Sequence, residues 1–162
     1  MNDSINKTFN HFKIHTQYSI CEGAIKIDQL KDYCKNNKIQ SLGISDSHIL
    51  SGALEFSETL SSIGTQPIIG TQILFKFKDF TGFIPLIAKN SSGYKNIIEL
   101  SSKSYLDNSE TTDPHCSLND LLNKSSGIIV LSGSIKCLIG NLFNKGLLSE
   151  IEEVITKLLK TF

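Results

Sequence analysis

Four side chains in the first third of the chain could bind a metal ion. His11 and His15 lie in the stretch HFKIHTQYSICEG (11–23), and Asp46 and His48 lie in LGISDSHILSGALEF (42–56). Imidazole nitrogens and carboxylates are the usual donors of a mononuclear site. If each stretch is a strand, 11 and 15 project from one face and so do 46 and 48, so the spacing permits a shared ion. A plainer arrangement satisfies the same spacing: His15 and Asp46 held by hydrogen bonds, with His11 and His48 partly exposed. Both readings stand at this point. His115, in the polar stretch DNSETTDPHCS (107–117), reads as solvated. Cys21 is either a reactive thiol or a small apolar filler. The loop Thr16-Gln17-Tyr18-Ser19 either orients a substrate or seats the helix that follows it.

The elements that must position these groups follow from hydrophobic period. Residues 9 to 15 alternate like a strand with one polar face. Ile27, Leu30 and Cys34 predict a helix stopped at Asn36-Asn37, and IQSLGIS (39–45) a short buried strand. Leu50, Ala53, Leu54, Leu60 and Ile63 have helical spacing, with Gly64 as the stop. PIIGTQILFKFKDF predicts a strand turned back through Thr81-Gly82 into IPLIA, where Pro85 implies an edge or an irregular pairing. Asn90 can cap a helix whose Tyr94, Ile97, Ile98 and Tyr105 read as core. Ser117 and Asp120 form a capping box for a shorter helix. GIIVLSG has the continuous apolar run of a buried parallel strand. Leu147, Leu148, Ile151, Val154, Ile155, Leu158 and Leu159 mark the last helix, with Glu153 four residues before Lys157. The alternation predicts an α/β protein of parallel βα units in one domain.

With 162 residues and 40% hydrophobic content, the chain can bury a real core. No apolar run approaches the roughly 20 residues that span a bilayer, and MNDSINKTFN lacks the apolar centre of a secretion signal. The expected location is cytoplasmic, with no membrane partner. Cys21, Cys34, Cys116 and Cys137 form no CxxC pair and read as structural thiols. All sixteen basic residues are lysine, balanced by sixteen acids. Without arginine the chain lacks the planar fork that grips phosphate and guanine edges, and zero net charge gives no basic footprint, so little direct DNA binding is expected.

The quoted stretches, with QPIIGTQI (66–73), LIAKNSSGYKNIIELSSKSYL (86–106) and GIIVLSGSIKCLIGNLF (127–143), resemble the N-terminal polymerase-and-histidinol-phosphatase (PHP) domain of bacterial DNA polymerase III alpha subunits. The match runs over about residues 9 to 160, with five motifs in register. It implies an irregular (β/α)7 barrel, of which this chain supplies about the first half to two-thirds. Active members of the family hold two or three metal ions and hydrolyse phosphoesters. The paired histidines of the first family motif fall on Lys13 and His15. The T-D-H-G motif falls on Ser45, Asp46, Ser47 and His48, so its ligand histidine is Ser47. The bridging carboxylate falls on Gln72, a further histidine on Phe83 and the cysteine of S-G-C on Ser134.

The resemblance therefore implies vestigial ligand positions at Lys13, His15, Asp46, Ser47, Gln72, Phe83 and Ser134, with donors kept only at His15 and Asp46. A multinuclear site needs anionic ligands, and a lysine about 4 Å from a cation opposes binding by about 4 kcal/mol at an effective dielectric of 20. The Lys13 ammonium could instead pair with Asp46. No catalytic residue and no cofactor are expected. The implied function is a catalytically inactive PHP domain in DNA replication that supports the remainder of the polymerase chain and docks the proofreading exonuclease subunit. The alternative is a metal-dependent phosphoesterase or pyrophosphatase using Zn or Mn, a lone ion being held by His11, His15, Asp46 and His48. A (β/α)8 barrel takes about 250 residues, so the chain is expected to be a truncated domain that is poorly soluble or oligomeric alone.

Overall fold

The computed structural model describes residues 9–108 and 112–162. Helix α1 (Ile27–Asn37) buries Ile27, Leu30 and Cys34 and ends at Lys38, which takes the left-handed backbone that closes the last turn. Strand β1 (Ser41–Ser47) follows, buried through Leu42 to Asp46. Helix α2 (Ala53–Ser61) turns Ala53, Phe56 and Leu60 inward. Leu54, predicted for that face, is 70% exposed, because it lies one residue off the stripe that Ala53, Phe56 and Leu60 define.

Strand β2 (Gln66–Phe77) pairs in parallel with β1 and turns into β3 (Phe80–Ala88). The turn is Lys78-Asp79, with Lys78 left-handed, and not Thr81-Gly82. Gly82 lies inside β3, where a Cβ would stand 2.3 Å from the Leu138 Cα, so close approach rather than turning selects glycine there. The two-residue turn makes β3 antiparallel to β2, and β5 (Ile128–Val130) pairs antiparallel with β3, so the sheet is mixed. The parallel pairing expected of GIIVLSG does not hold. Nor does Pro85 mark an edge, for β3 lies between β2 and β5. Its carbonyl accepts from the Leu131 N–H at 3.0 Å, so its missing donor faces the end of the short β5 ladder.

Helix α3 (Ser91–Leu106) starts at Asn90, whose side chain accepts from the Gly93 N–H at 2.9 Å. Its core face is Gly93, Ile97, Leu100 and Ser104. Ile98 and Tyr105 are instead exposed and Tyr94 half-buried, since the buried face lies along the other ridge. The two-residue strand β4 (Cys116–Ser117) leads into α4 (Leu118–Asn123), where Ser117 and Asp120 cap reciprocally. A short helix not anticipated from the sequence, α5 (Leu138–Asn144), precedes α6 (Leu148–Thr161). On α6, Val154 is buried and Leu147, Ile151 and Leu158 pack on the core, whereas Leu148 and Leu159 face outward. Glu153 and Lys157 pair at 2.8 Å.

Two apolar clusters flank the sheet. Ile73, Phe75 and Leu86 pack with α3, α4, α5 and α6, and Leu42 and Ile44 pack with α1 and α2. One edge of β2 is shared: β1 pairs with residues 66–72 and β4 with 75–76. The gap between them opens at the carboxyl end of β1, the place where open α/β sheets leave a crevice.

Candidate functional site

The N-terminal segment runs beside β1 without forming a strand. The Gly43 N–H donates to the His11 carbonyl at 2.7 Å and the Ser45 N–H to that of Ile14 at 2.8 Å. Two residues of β1 thus match three of the segment, and the extra residue breaks the period of two. His11 goes one way, edge-on to Phe9 at 4.8 Å in a cleft of about 300 Å³ with Ile25, Leu30 and Tyr33. His15 goes the other, its Nδ1 lying 3.4 Å from the Ser19 Oγ and 3.9 Å from the Glu22 carboxylate.

After Ile14 the chain turns tightly over Asp46. Ser19 N–H returns to the Thr16 carbonyl and Gly23 N–H to that of Ser19, both at 2.9 Å. A Cβ on Gly23 would lie 2.0 Å from the Thr16 oxygen, so only glycine closes this loop. Beneath it Asp46 is 1% exposed. One carboxylate oxygen accepts from the Thr16 N–H and the Ser19 hydroxyl, both at 2.6 Å, and the other from the Thr16 hydroxyl at 2.8 Å. These neutral donors take the role expected of Lys13. The Lys13 ammonium instead donates to the Cys137 Sγ at 3.8 Å, because the loop donors already enclose Asp46.

Ser47 and Gln72, opposite each other in the β1–β2 register, join this cluster from the other face. Gln72 Nε2 donates to Ser47 Oγ at 2.8 Å, and Ser47 donates to Glu22. Among the described residues, Gln72 Oε1 is buried without a hydrogen-bond partner. His48 leaves the strand with a left-handed backbone, so Asp46 and His48 do not share a face. Its N–H donates to the Gln72 carbonyl at 2.7 Å, and its own carbonyl accepts from the Ser101 hydroxyl. The ring meets Phe83 and Tyr105 edge-on, at 5.2 and 6.1 Å. Burial lowers the His48 pKa below its ordinary value, against the opposing pull of Glu22 and Asp113. Phe83 also bridges Cys137 in the backbone, and Cys137 Sγ lies 3.9 Å from Ser134 Oγ.

The result is a cleft of about 390 Å³ at the end of β1, walled by Tyr18, Ile20, Phe83 and Tyr105 and floored by Glu22, Ser47, His48 and Asp113. Tyr18 is fixed by donating to Glu55 at 2.6 Å, and this carboxylate raises the phenol pKa. Of the residues singled out in the sequence, Ser47, His48 and Phe83 line the cleft, and His15, Asp46 and Gln72 sit behind it. Lys13 and Ser134 meet at Cys137, and His11 stands apart. His115 is half-buried rather than solvated, its Nδ1 lying 2.8 Å from the Asp113 carbonyl. Among the described residues, no three His, Cys, Asp or Glu side chains converge in a ligand-like group. Glu22 was missed in the sequence, although an acid just before the glycine of HFKIHTQYSICEG was there to be noticed.

A PHP domain model matches residues 11–162, and the chain belongs to the PHP domain family. Within that family it is similar to DNA polymerase III alpha subunits. Identity is 32% to that of Caulobacter vibrioides across 100% of this chain, and 30% to that of Haemophilus influenzae across 91%. It is 33% to that of Borreliella burgdorferi across 86%. The chain spans only 15%, 13% and 13% of those relatives' lengths. Among solved structures, a protein described as a candidate metal-dependent phosphoesterase from Bifidobacterium adolescentis superposes with a TM-score of 0.44. It is 17% identical, with 59% of this chain and 34% of that one covered. An amidohydrolase from Chromobacterium violaceum gives 0.45, at 14% identity over 56% of this chain and 32% of the other.

Proposed function

We propose that the chain is a non-catalytic PHP module of a replicative polymerase alpha polypeptide, bracing the polymerase and docking a separate proofreading exonuclease. The observation that carries this reading is the donor set at the seven family ligand positions. Phe83 has no lone pair to give, Gln72 is neutral with its amide turned to Ser47, and Lys13 brings positive charge. Ser47 and Ser134 are hydroxyls where imidazole and thiolate would stand. Both oxygens of Asp46 already accept hydrogen bonds from Thr16 and Ser19. These residues do not fit a two- or three-metal centre.

The bracing and docking roles rest on the resemblance to alpha subunits. Template-directed nucleotidyl transfer belongs, in this reading, to polypeptide outside residues 1–162. A cytoplasmic location goes with it, as does little direct DNA contact, the latter supported by sixteen lysines balanced by sixteen acids. The test pairs two measurements on the purified chain. Calorimetric titration with the exonuclease subunit is expected to saturate, and a chromogenic phosphodiester or pyrophosphate with added manganese is expected to give no turnover. Turnover that a chelator abolishes would overturn the proposal.

A further inference from the structure

The cleft at the end of β1 joins two features that select the same ligand chemistry. Among the described residues its charged lining is acidic, Glu22 and Asp113, with no lysine. Its walls are aromatic: Tyr18, Phe83 and Tyr105. Carboxylates attract cations, and ring faces attract those that are planar and weakly hydrated. His48, another lining residue, sets its ring edge-on to Phe83 and Tyr105.

We propose that this cleft receives an arginine side chain from a protein partner. A guanidinium answers both features at once, by pairing with carboxylate and stacking on the aromatic walls. An ammonium lacks the plane, and an anionic group would be repelled by Glu22 and Asp113. Every basic residue among these 162 is lysine, so the arginine comes from outside them. Ile20, 83% exposed on the rim, offers apolar surface to the residues flanking such an arginine. The inference rests on the reading that the cleft is not a metal centre.

The experiment is an NMR titration of the full 162-residue chain with a blocked Gly-Arg-Gly peptide and with its uncharged citrulline counterpart. Saturable shifts are expected at Ile20, His48 and Tyr105, with the citrulline peptide about tenfold weaker for loss of its charge-assisted pairing. Glu22→Gln, which keeps an acceptor for Ser47, and Tyr105→Ala, at an exposed ring, are each expected to weaken the arginine peptide several-fold. Equal shifts from both peptides, shifts scattered over the surface, or none at millimolar peptide would overturn the inference. In a metal-free chain, failure to bind sinks this inference alone. Stoichiometric zinc or manganese displacing the peptide would sink the proposed function with it.

Discussion

Asp46 shows how a buried carboxyl group can be satisfied by neutral donors. Three hydrogen bonds from Thr16 and Ser19 surround its carboxylate, and together they hang the N-terminal loop on the end of β1. Asp46→Asn would present an amide to those donors and is expected to cost about 2–4 kcal/mol in urea unfolding. A change under 1 kcal/mol would mean that the loop is held elsewhere. The burial of His48 gives a pH dependence whose sign can be worked out. Its folded pKa lies below 6.5 through burial, with the Glu22 and Asp113 carboxylates opposing. The unfolded chain therefore takes the proton first. Stability is full above about pH 6.5 and declines below it until the folded ring also protonates. His48→Asn, which tolerates the left-handed backbone, is expected to flatten that decline. The thiols divide by burial: Cys116 is pushed up to about 12 and Cys34 is also raised, whereas Cys21 is exposed. One thiol is expected to react quickly with Ellman's reagent in the native chain, and four after denaturation. Asp46 and its importance were legible in the sequence, but its partners were not. Charge suggested Lys13, whereas backbone and hydroxyl donors made available by a tight loop, invisible to charge counting, supply the balance.

At the level of elements, local rules carried furthest where one signal acted alone. The caps at Asn90 and Ser117 and the spacing of α1 are in place because each depends on residues within one turn. Ser117→Ala is expected to cost about 1 kcal/mol through the lost reciprocal cap of α4, read from the midpoint of thermal or urea unfolding. Gly82→Ala should be much worse, because its Cβ would press on the Leu138 backbone and part β3 from α5. A mild effect there would place α5 farther from the sheet than described. Three features escaped the sequence reading for one physical reason, namely dependence on neighbours distant in the chain. The bulge beside β1 that separates His11 from His15 needs the β1 register. The direction of β5 depends on its pairing with β3, with three elements between them in the chain. The exposure of Tyr105 depends on which ridge of α3 meets the sheet.

Across the whole molecule, the mixed sheet has its core closed on both faces but leaves apolar surface on its last helix. Leu148, Ile155, Leu159 and Phe162 are exposed along α6, with Phe143 on α5. Zero formal net charge offers little repulsion between copies. Sedimentation velocity is therefore expected to reveal concentration-dependent association of the isolated chain, reduced by Leu159→Lys. A monomer at all concentrations would contradict that. Metal content is the most direct measurement of the central claim, that hydrogen bonds have taken over where family members place ions. Elemental analysis of chain purified without chelator under anaerobic conditions is expected to find zinc and manganese far below one per chain. Stoichiometric metal that falls on His15→Ala or Asp46→Ala, with the chain still folded by circular dichroism, would contradict it.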